Sequence, residues 1–312
     1  MLDARAVVEG WSRFWFRSGD LRPLATFRMG WGLAVLIVVF SDIERVALYD
    51  AERFHWPLWD GLPTPSGSAY YAVLGMAGIG ASLTLVGLLT RASAFLATIC
   101  QTYVFASDLL QFRNHVYLIC LLGLLLCLSP SDRVVSLDAY LRKRRHPGEP
   151  VVHEGSLTAA QVIKVQIVIV YAWAVLNKLR GSFLDGWVLG NELNDAFPRS
   201  LAGALLPSYR DALASIFSSP AIMGPLSYLV IFVEMFVVVG LLYRPLRRSA
   251  VWAGVLLHLG IALTMNVFAF GLLMVASYPL FLAAEPYSDA AAAGMSKSMS
   301  NNRTPDPTPE PP

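Results

Sequence analysis

Charged side chains are scarce in this sequence. Asp, Glu, Lys and Arg together make up 15% of the 312 residues, whereas soluble domains contain about 25%. Hydrophobic residues make up 55%, so the composition indicates a lipid bilayer as the surroundings of the chain. The net charge is +2, and the apolar runs leave no room for a continuous basic face. A nucleic-acid partner is therefore not expected.

Cysteine is scarce as well. The 3 cysteines, Cys100, Cys120 and Cys127, all lie in apolar runs and lack the spacing of metal ligands. This number excludes a secreted disulfide scaffold. We expect the three side chains to lie in the core and expect no metal site.

The chain does contain long hydrophobic runs. A helix needs about 20 residues to cross the hydrocarbon of a bilayer. Runs of this kind lie near 24–42, 69–90, 92–110, 115–130, 160–179, 221–243, 249–266 and 267–284. They predict an all-α polytopic membrane protein with about eight transmembrane helices in a domain spanning 24–285. No connecting piece is long enough for an independent soluble domain, although 180–220 suits a partly ordered exterior cap.

The basic residues predict the orientation of these helices, because Lys and Arg are retained on the cytoplasmic side. With both termini in the cytoplasm, eight spans place 15 basic residues on the cytoplasmic side and 7 on the exterior side. Two more basic residues lie within the spans themselves. The loop 43–68 is acidic, as suits the exterior. Both termini are therefore predicted to be cytoplasmic.

Two segments flank the predicted transmembrane domain. Residues 1–23 are predicted to form a cytoplasmic amphipathic segment, because Trp11, Phe14 and Trp15 share one helical face and Arg13 and Arg17 share another. No signal cleavage site follows the first apolar run, which should remain as the first span. The tail 286–312 is rich in proline and polar residues, which predicts disorder.

Three glycines recur in the second span, at Gly75, Gly78 and Gly80. Small residues let transmembrane helices approach closely. We therefore expect this span to pack tightly against a neighbour.

The fifth span is unusually polar along one side. Positions 166, 173 and 177 share one helical face, and Lys164, Tyr171 and Lys178 recur at intervals of seven on an adjoining face. Polar residues in a span normally face the protein interior, so this side suits a lined cavity. The two lysines lie near the ends of the span, where reaching the headgroups through an apolar stem is the alternative.

Other polar residues fall on the spans that would surround this face. Asn114 and His115 begin the fourth span on the same outer side as Lys178, and an imidazole there could hold an ammonium in its uncharged form. A hydrophilic turn with helix-capping residues is the alternative. Glu234 and His258 lie midway along the sixth and seventh spans, where they either line the same cavity or are buried structural groups.

Several of these segments resemble a known family. They are Gln166–Leu179 with Gly186 and Trp187, Asn114–Leu118, and the stretch from His258 through Asn266 to Gly271 and on to Phe281. They look like the membrane domain of vitamin K-dependent γ-carboxylases, which belongs to the wider HTTM family. Phe27–Gly30 and Glu234, followed by the arginine-rich turn 244–248, are similar to bacterial members. The resemblance covers about 20–285 and implies a bacterial cytoplasmic (inner) membrane protein.

The resemblance also implies roles for individual residues. Lys178 aligns with the base that deprotonates reduced vitamin K or another quinol, and Asn114 and His115 align with a catalytic asparagine–histidine pair. His258 aligns with a histidine of a later span, and with Glu234, Tyr171 and Asn177 it would line the quinol-binding pocket. In the family reaction, O2 adds to the hydroquinone anion, and the strong base so formed deprotonates glutamate, to which CO2 then adds. A lysine suits the first step because desolvation lowers its pKa.

Two functions from different classes stay open at this point. The first is a quinol-dependent enzyme that resembles the carboxylases. Those enzymes carry a large soluble domain after the membrane part, whereas here the tail 286–312 follows, so the expectation covers the quinol chemistry and not the carboxylation. The second is a noncatalytic membrane module that binds a lipid, a quinone or a partner protein. A role in the maturation of a secreted peptide, or with a soluble exterior protein, belongs to this second class.

Overall fold

A computed structural model describes residues 4–49, 53–150, 153–179 and 181–283. Within these ranges the α-helices are α1 (Ala4–Phe16), α2 (Arg22–Ile43), α3 (Gly67–Val86), α4 (Thr90–Ser107), α5 (Asn114–Cys127), α6 (Leu137–Arg145), α7 (Thr158–Lys178), α8 (Trp187–Ala196), α9 (Leu201–Leu205), α10 (Arg210–Phe217), α11 (Pro220–Leu242), α12 (Arg247–Thr264), α13 (Phe268–Ser277) and α14 (Pro279–Leu282). Two short strands, β1 (Ser18–Asp20) and β2 (Glu154–Ser156), pair antiparallel, with Ser18 opposite Ser156. The architecture is therefore helical, as the hydrophobic runs predict.

Five helical segments are long and apolar enough to cross a membrane. They are α2, α3, α7, α11 and the segment Arg244–Thr264, which contains α12. The apolar helix α5 and the segment Phe268–Leu282 are shorter, and α4 is an 18-residue helix. Each of the eight predicted segments thus contains a helix. Helices suit these sequences because a backbone in hydrocarbon must satisfy its hydrogen bonds within the segment.

Several contacts gather at one end of the helical bundle, which we call the basic end because it carries Arg142–Arg145 and Arg244–Arg248. The pairing of β1 with β2 joins the start of α2 to the start of α7. The Asp138 carboxylate accepts hydrogen bonds from the backbone N–H groups of Leu89 and Thr90, which joins α6 to the start of α4. The side chain of Arg247 donates to the carbonyl of Phe281, which joins the start of α12 to α14.

The opposite end of the bundle, which we call the distal end, carries a second set of ties. Arg113, just before α5, pairs with Asp42 at the end of α2. His55 lies 3.2 Å from Asp108, which directly follows α4. Because α7 begins at the basic end and is 21 residues long, its last residue, Lys178, lies at the distal end.

The core is centred on α2. Its tryptophan Trp31 is fully buried and donates a 2.9 Å hydrogen bond to the carbonyl of Ile119 in α5. The fully buried Arg28 donates hydrogen bonds of 2.7 and 2.6 Å to the carbonyls of Ser131 and Val135. Backbone oxygens of the connection between α5 and α6 therefore bind two of the three guanidinium nitrogens of this arginine, which offsets part of the cost of its burial.

Some of the glycines and cysteines that the sequence analysis names take part in this packing, and others do not. A Cβ added at Gly80 would lie 2.8 Å from backbone atoms of α4, whereas one added at Gly75 would meet nothing within 4 Å. Cys100 and Cys120 are buried and Cys127 is partly buried. The close approach is thus made at one glycine of the three, and two cysteines lie in the core.

The segments on either side of the bundle are described in part. The predicted N-terminal helix is present as α1, and the Gln161 side chain ties it to α7 by donating a 2.9 Å hydrogen bond to the carbonyl of Phe14. Trp11 packs edge-to-face on Trp15 and is largely exposed. The predicted cap contains the short helices α8, α9 and α10. The predicted disordered tail 286–312 lies outside the described residues.

Candidate functional site

A partly buried ion pair lies at the distal end of the bundle. The Nζ of Lys178, the last residue of α7, is 2.5 Å from Oε1 of Glu234, in the middle of α11. The side chains of Lys178 and Glu234 are 25% and 6% exposed. The chain turns back after α7, and Nζ lies 5.7 Å from the centroid of the Phe183 ring. The ammonium is therefore held between a carboxylate and an aromatic face.

A chain of hydrogen-bonded side chains lies further along the same helix. The hydroxyl of Tyr171 is 2.6 Å from Nε2 of His258 in α12 and is also hydrogen-bonded to the hydroxyl of Tyr278, between α13 and α14. All three side chains are buried. The His258 ring packs edge-on against Phe270 with centroids 5.1 Å apart. Gly254 leaves the space for Tyr278, because a Cβ there would clash with its hydroxyl.

The ion pair and this chain belong to one polar cluster. Tyr171 and Lys178 are two helical turns apart on α7, on one side of the helix. Tyr171 bonds His258 and Tyr278, and Lys178 bonds Glu234. The structure thus brings together four of the residues that the sequence singles out, and it adds Tyr278, which the sequence analysis quoted only within an apolar motif.

Two buried atoms of the cluster lack a partner within the described ranges. They are Oε2 of Glu234 and Nδ1 of His258. Buried polar atoms are almost always hydrogen-bonded in proteins, to the chain, to water or to a ligand. Each of these atoms can therefore take one more hydrogen bond from a bound molecule.

Other predicted site residues are not brought to the ion pair. Asn114 and His115 begin α5 at the distal end, directly after Arg113, and among the described residues neither makes a hydrogen bond or ion pair with Lys178. Asn114 and Asn177 are exposed. A role for Asn114, His115 and Asn177 in the site stays a prediction.

Lys164 shares the helical face of Lys178 but lies elsewhere. Its Nζ is 5.7 Å from the centroid of the Phe281 ring, which belongs to the basic end. Of the three residues at the seven-residue spacing, Tyr171 and Lys178 therefore belong to the cluster, whereas Lys164 does not. In the part of the chain that the structure describes, no group of three or more His, Cys, Asp or Glu side chains is placed to hold a metal ion.

The cluster offers two kinds of proton chemistry. An ammonium and a carboxylate that share one short hydrogen bond can exchange a proton between Nζ and Oε1, which yields two neutral groups. The hydroxyls of Tyr171 and Tyr278 and the imidazole of His258 can each donate or accept. Aromatic rings at Phe183 and Phe270 border these polar atoms, beside Lys178 and His258 respectively.

Comparison with known proteins gives one match. No curated protein matches the chain, and no solved structure matches it. A family model described as the HTTM domain matches residues 16–285, a range that contains every residue of the polar cluster. The chain therefore belongs to the HTTM family of integral membrane proteins.

Proposed function

We propose that this HTTM-family protein is a quinol-dependent membrane enzyme, similar to vitamin K-dependent γ-carboxylases in its first step, with Lys178 as the base. The observation that carries the proposal is the pair of the partly buried Lys178 and the buried Glu234, whose Nζ and Oε1 atoms are 2.5 Å apart. A lysine can act as a base only in its neutral form, so the partner that receives its proton matters as much as the lysine.

The Glu234 carboxylate is that partner. Transfer of a proton from Nζ of Lys178 to Oε1 of Glu234 converts a partly buried ammonium and a buried carboxylate into an amine and a carboxylic acid. The free-energy cost of burying two neutral, hydrogen-bonded groups is much smaller than that of burying two ions. The neutral pair is therefore accessible inside the bundle, and the lone pair of Nζ can then accept a proton from an acidic hydroxyl.

The unpartnered atoms of the cluster fit a quinol. Oε2 of Glu234 and Nδ1 of His258 can each bind a hydroxyl, and the rings of Phe183 and Phe270 can contact a quinol ring. A bound quinol supplies an acidic hydroxyl and two reducing electrons. Lys178 would hold the proton taken from it, while Tyr171 would orient His258 through their 2.6 Å hydrogen bond.

Replacement of Lys178 by arginine tests the base directly. Arginine keeps the positive charge that pairs with Glu234, but it does not lose a proton in proteins. In membrane vesicles supplied with the hydroquinone of vitamin K and O2, we expect Lys178→Arg and Lys178→Ala to lower quinol consumption at least about 100-fold, as expected for loss of a general base. A fully active Lys178→Arg variant, inserted at the normal level, would contradict the proposal.

The matched control is Lys164→Arg. Lys164 lies on the same helix and the same face, but near Phe281 at the basic end. We expect this variant to consume quinol at the wild-type rate. Equal losses in Lys164→Arg and Lys178→Arg would show that arginine disturbs α7 as a whole and that the test does not report on a base.

The same ion pair also favours a second candidate function. An ion pair between α7 and α11 holds the two helices together, and such a pair can be purely structural. In that case the protein is a noncatalytic module that binds a secreted peptide or a soluble exterior protein. Vesicles with wild-type protein would then consume quinol no faster than empty vesicles, and Lys178→Arg would leave the cellular phenotype unchanged.

We also propose that eight segments cross the bacterial cytoplasmic membrane, with both termini in the cytoplasm. The supporting observation is that successive long helices run alternately between the basic and distal ends. These helices are α2, α3, α4, α5, α7, α11, α12 and α13 with α14. Basic residues mark cytoplasmic loops, so the basic end would be cytoplasmic. Helices α8, α9 and α10 would then form an exterior cap.

Reporter fusions test this orientation. Fusions after Arg145 and after Arg248 should report the cytoplasm, and a fusion near Arg199 should report the exterior. A cytoplasmic signal at Arg199 would move Lys178 to the other side of the membrane and would contradict the proposed exterior cap.

A further inference from the structure

Two neighbouring cavities lie at the basic end, away from Lys178. The larger has a volume of about 640 Å³ and lies against α6, with Arg133, Tyr140 and Lys143 in its wall. The smaller, of about 290 Å³, lies between the end of α5 and the start of α7. Arg133 lines both cavities. The two cavities therefore adjoin at Arg133, and together we call them the basic groove.

The basic groove carries an excess of positive charge, because Arg91, Arg133, Arg142 and Lys143 line it against Asp132 and Glu149. Oδ2 of Asp132 lies 3.3 Å from a guanidinium nitrogen of Arg142, and its Oδ1 lies 3.9 Å from Nε of Arg91. Two arginines therefore already share the Asp132 carboxylate. Arg133 is exposed, and the ion pairs among the residues that the structure describes do not include it, those of the neighbouring Asp132 being with Arg91 and Arg142. An anion in the groove would meet Arg133 and Arg91 without displacing an acidic side chain from Arg133.

The same groove carries exposed apolar surface. Leu125, Leu128 and Val162 line the smaller cavity beside Arg91 and Arg133, and Leu128 is 77% exposed. Leucines facing outward next to arginines are typical of a membrane boundary, where the stems contact acyl chains and the guanidinium groups reach the phosphates. A ligand with an anionic head and an apolar tail complements both parts.

We propose that the basic groove binds an anionic phospholipid. Arg133 and Arg91 bind the phosphate of its headgroup, and an acyl chain lies along Leu125, Leu128 and Val162. Basic grooves between transmembrane helices bind anionic headgroups in this way because the two cations and the lipid phosphate attract each other at the edge of the low-dielectric hydrocarbon. This site is independent of the proposed quinol chemistry at the distal end.

The test compares three probes on the detergent-purified, full-length protein. They are phosphatidylglycerol, which is anionic, phosphatidylcholine, which has a phosphate but no net charge, and glycerol 3-phosphate, which has no acyl chains. Binding is measured by native mass spectrometry and by the shift of the thermal unfolding midpoint. We expect phosphatidylglycerol to bind at least about fivefold more tightly than phosphatidylcholine, and glycerol 3-phosphate to produce no shift.

The variant that tests the site is Arg133→Gln, because Arg133 has no ion pair in the described chain to lose. We expect it to weaken phosphatidylglycerol binding about fivefold, as for removal of one basic residue near a membrane surface. The matched control is Arg145→Gln, which removes another exposed arginine of the basic end that does not line the groove. We expect this control to bind phosphatidylglycerol as the wild type does.

Three results would overturn the proposal. Equal affinity of the wild type for the two phospholipids would exclude recognition of an anionic head. Stabilisation by glycerol 3-phosphate as large as that by phosphatidylglycerol would identify a soluble phosphate ligand. Equal losses in Arg133→Gln and Arg145→Gln would show diffuse attraction to the whole basic end. If Arg133→Gln does not fold, Arg91→Gln takes its place with the same expected loss, and the wild-type comparison of the three probes still decides.

Discussion

The guanidinium of Arg113 donates a 2.7 Å hydrogen bond to the carboxylate of Asp42. The side chain of Asp42 is 0% exposed, and that of Arg113 is 17% exposed. Arg45 lies 3.5 Å from the other carboxylate oxygen, and the hydroxyl of Tyr70 donates to the Asp42 carbonyl. This cluster joins the end of α2 to the start of α5 and to α3. It therefore positions Asn114 and His115, the two residues that follow Arg113.

Loss of Arg113 should destabilise the protein strongly. Arg113→Met leaves the buried Asp42 carboxylate with Arg45 as its remaining cation, and removal of one partner of a buried pair costs 3–5 kcal/mol. We expect about 3 kcal/mol, the low end of that range, because Arg45 stays. Thermal unfolding in detergent measures the change.

The control for this variant is an exposed pair. Arg199 and Asp195 are 2.6 Å apart with side chains 64% and 75% exposed, and exposed pairs contribute about 0–1 kcal/mol. Arg199→Met should therefore unfold at nearly the wild-type temperature. Similar losses for Arg113→Met and Arg199→Met would show that burial does not decide the strength of these pairs.

The positions of the helices could be predicted from the sequence, whereas their pairings could not. Hydropathy reports how apolar each segment is, and a bilayer requires apolar segments to be helical. The bond between Arg113 and Asp42 joins residues 71 positions apart, and it depends on which helices are neighbours. The sequence therefore places Arg113 in a polar loop but does not identify Asp42 as its partner.

A substitution at Gly80 should separate α3 from α4. A Cβ there would lie 2.8 Å from the backbone nitrogen of Ala97 and from the carbonyl oxygen of Ser93, and backbone atoms cannot move aside cheaply. We expect Gly80→Ala to lower the free energy of unfolding by about 1–3 kcal/mol, as overpacking does. The measurement is the unfolding midpoint in detergent.

Gly75 is the matched control on the same helix, because a Cβ there meets no atom within 4 Å. Alanine is favoured over glycine in helices by about 1 kcal/mol, so Gly75→Ala should be neutral or stabilising. A stable Gly80→Ala variant would contradict the close approach of α3 and α4.

The candidate site could be predicted only in part for a similar reason. Tyr171 and Lys178 follow from the spacing along one helix, because two helical turns return to the same side. Glu234 and His258 were identified because charged and polar residues are rare in spans. Glu234 contacts Lys178, and His258 contacts Tyr171, because of the positions of α11 and α12 along α7. Side-chain packing over many residues determines these positions. A tyrosine in an apolar segment, such as Tyr278, gives no comparable signal.

Asp138 should make stability depend on pH at the basic end. Burial opposes its ionisation, but hydrogen bonds from the backbone of Thr90 and Leu89 and from the Thr90 hydroxyl outweigh burial and lower the pKa of Asp138. A carboxyl with a lowered pKa in the folded state stabilises the fold above its unfolded pKa, near 3.8, and this contribution is lost as the pH falls through the folded pKa. Asp138→Ala should therefore cost about 1 kcal/mol at pH 7, as loss of a helix cap does.

The measurement is thermal unfolding of the wild type and Asp138→Ala between pH 7 and pH 3. We expect the difference between them to be constant at neutral pH and to shrink below the unfolded pKa. Asp60→Ala, at an exposed position, is the control and should change stability by less than about 0.5 kcal/mol. A difference that grows on acidification would show that Asp138 stabilises the fold in its protonated form.

Removal of the Tyr171 hydroxyl should separate a structural role of the polar cluster from a functional one. Tyr171→Phe keeps the ring but leaves Nε2 of His258 and the hydroxyl of Tyr278 without their shared partner. A buried polar group left unpaired costs about 1–3 kcal/mol, so the unfolding midpoint should fall. The control is Tyr103→Phe, which removes a more exposed hydroxyl bonded to the carbonyl of Pro63 and should cost about 1 kcal/mol or less.

If Tyr171 orients His258 for a quinol, consumption of the hydroquinone of vitamin K by inserted Tyr171→Phe protein should also fall, and addition of a stabilising lipid should not restore it. Full activity of a destabilised Tyr171→Phe variant would restrict Tyr171 to holding α7, α12 and the segment of Tyr278 together.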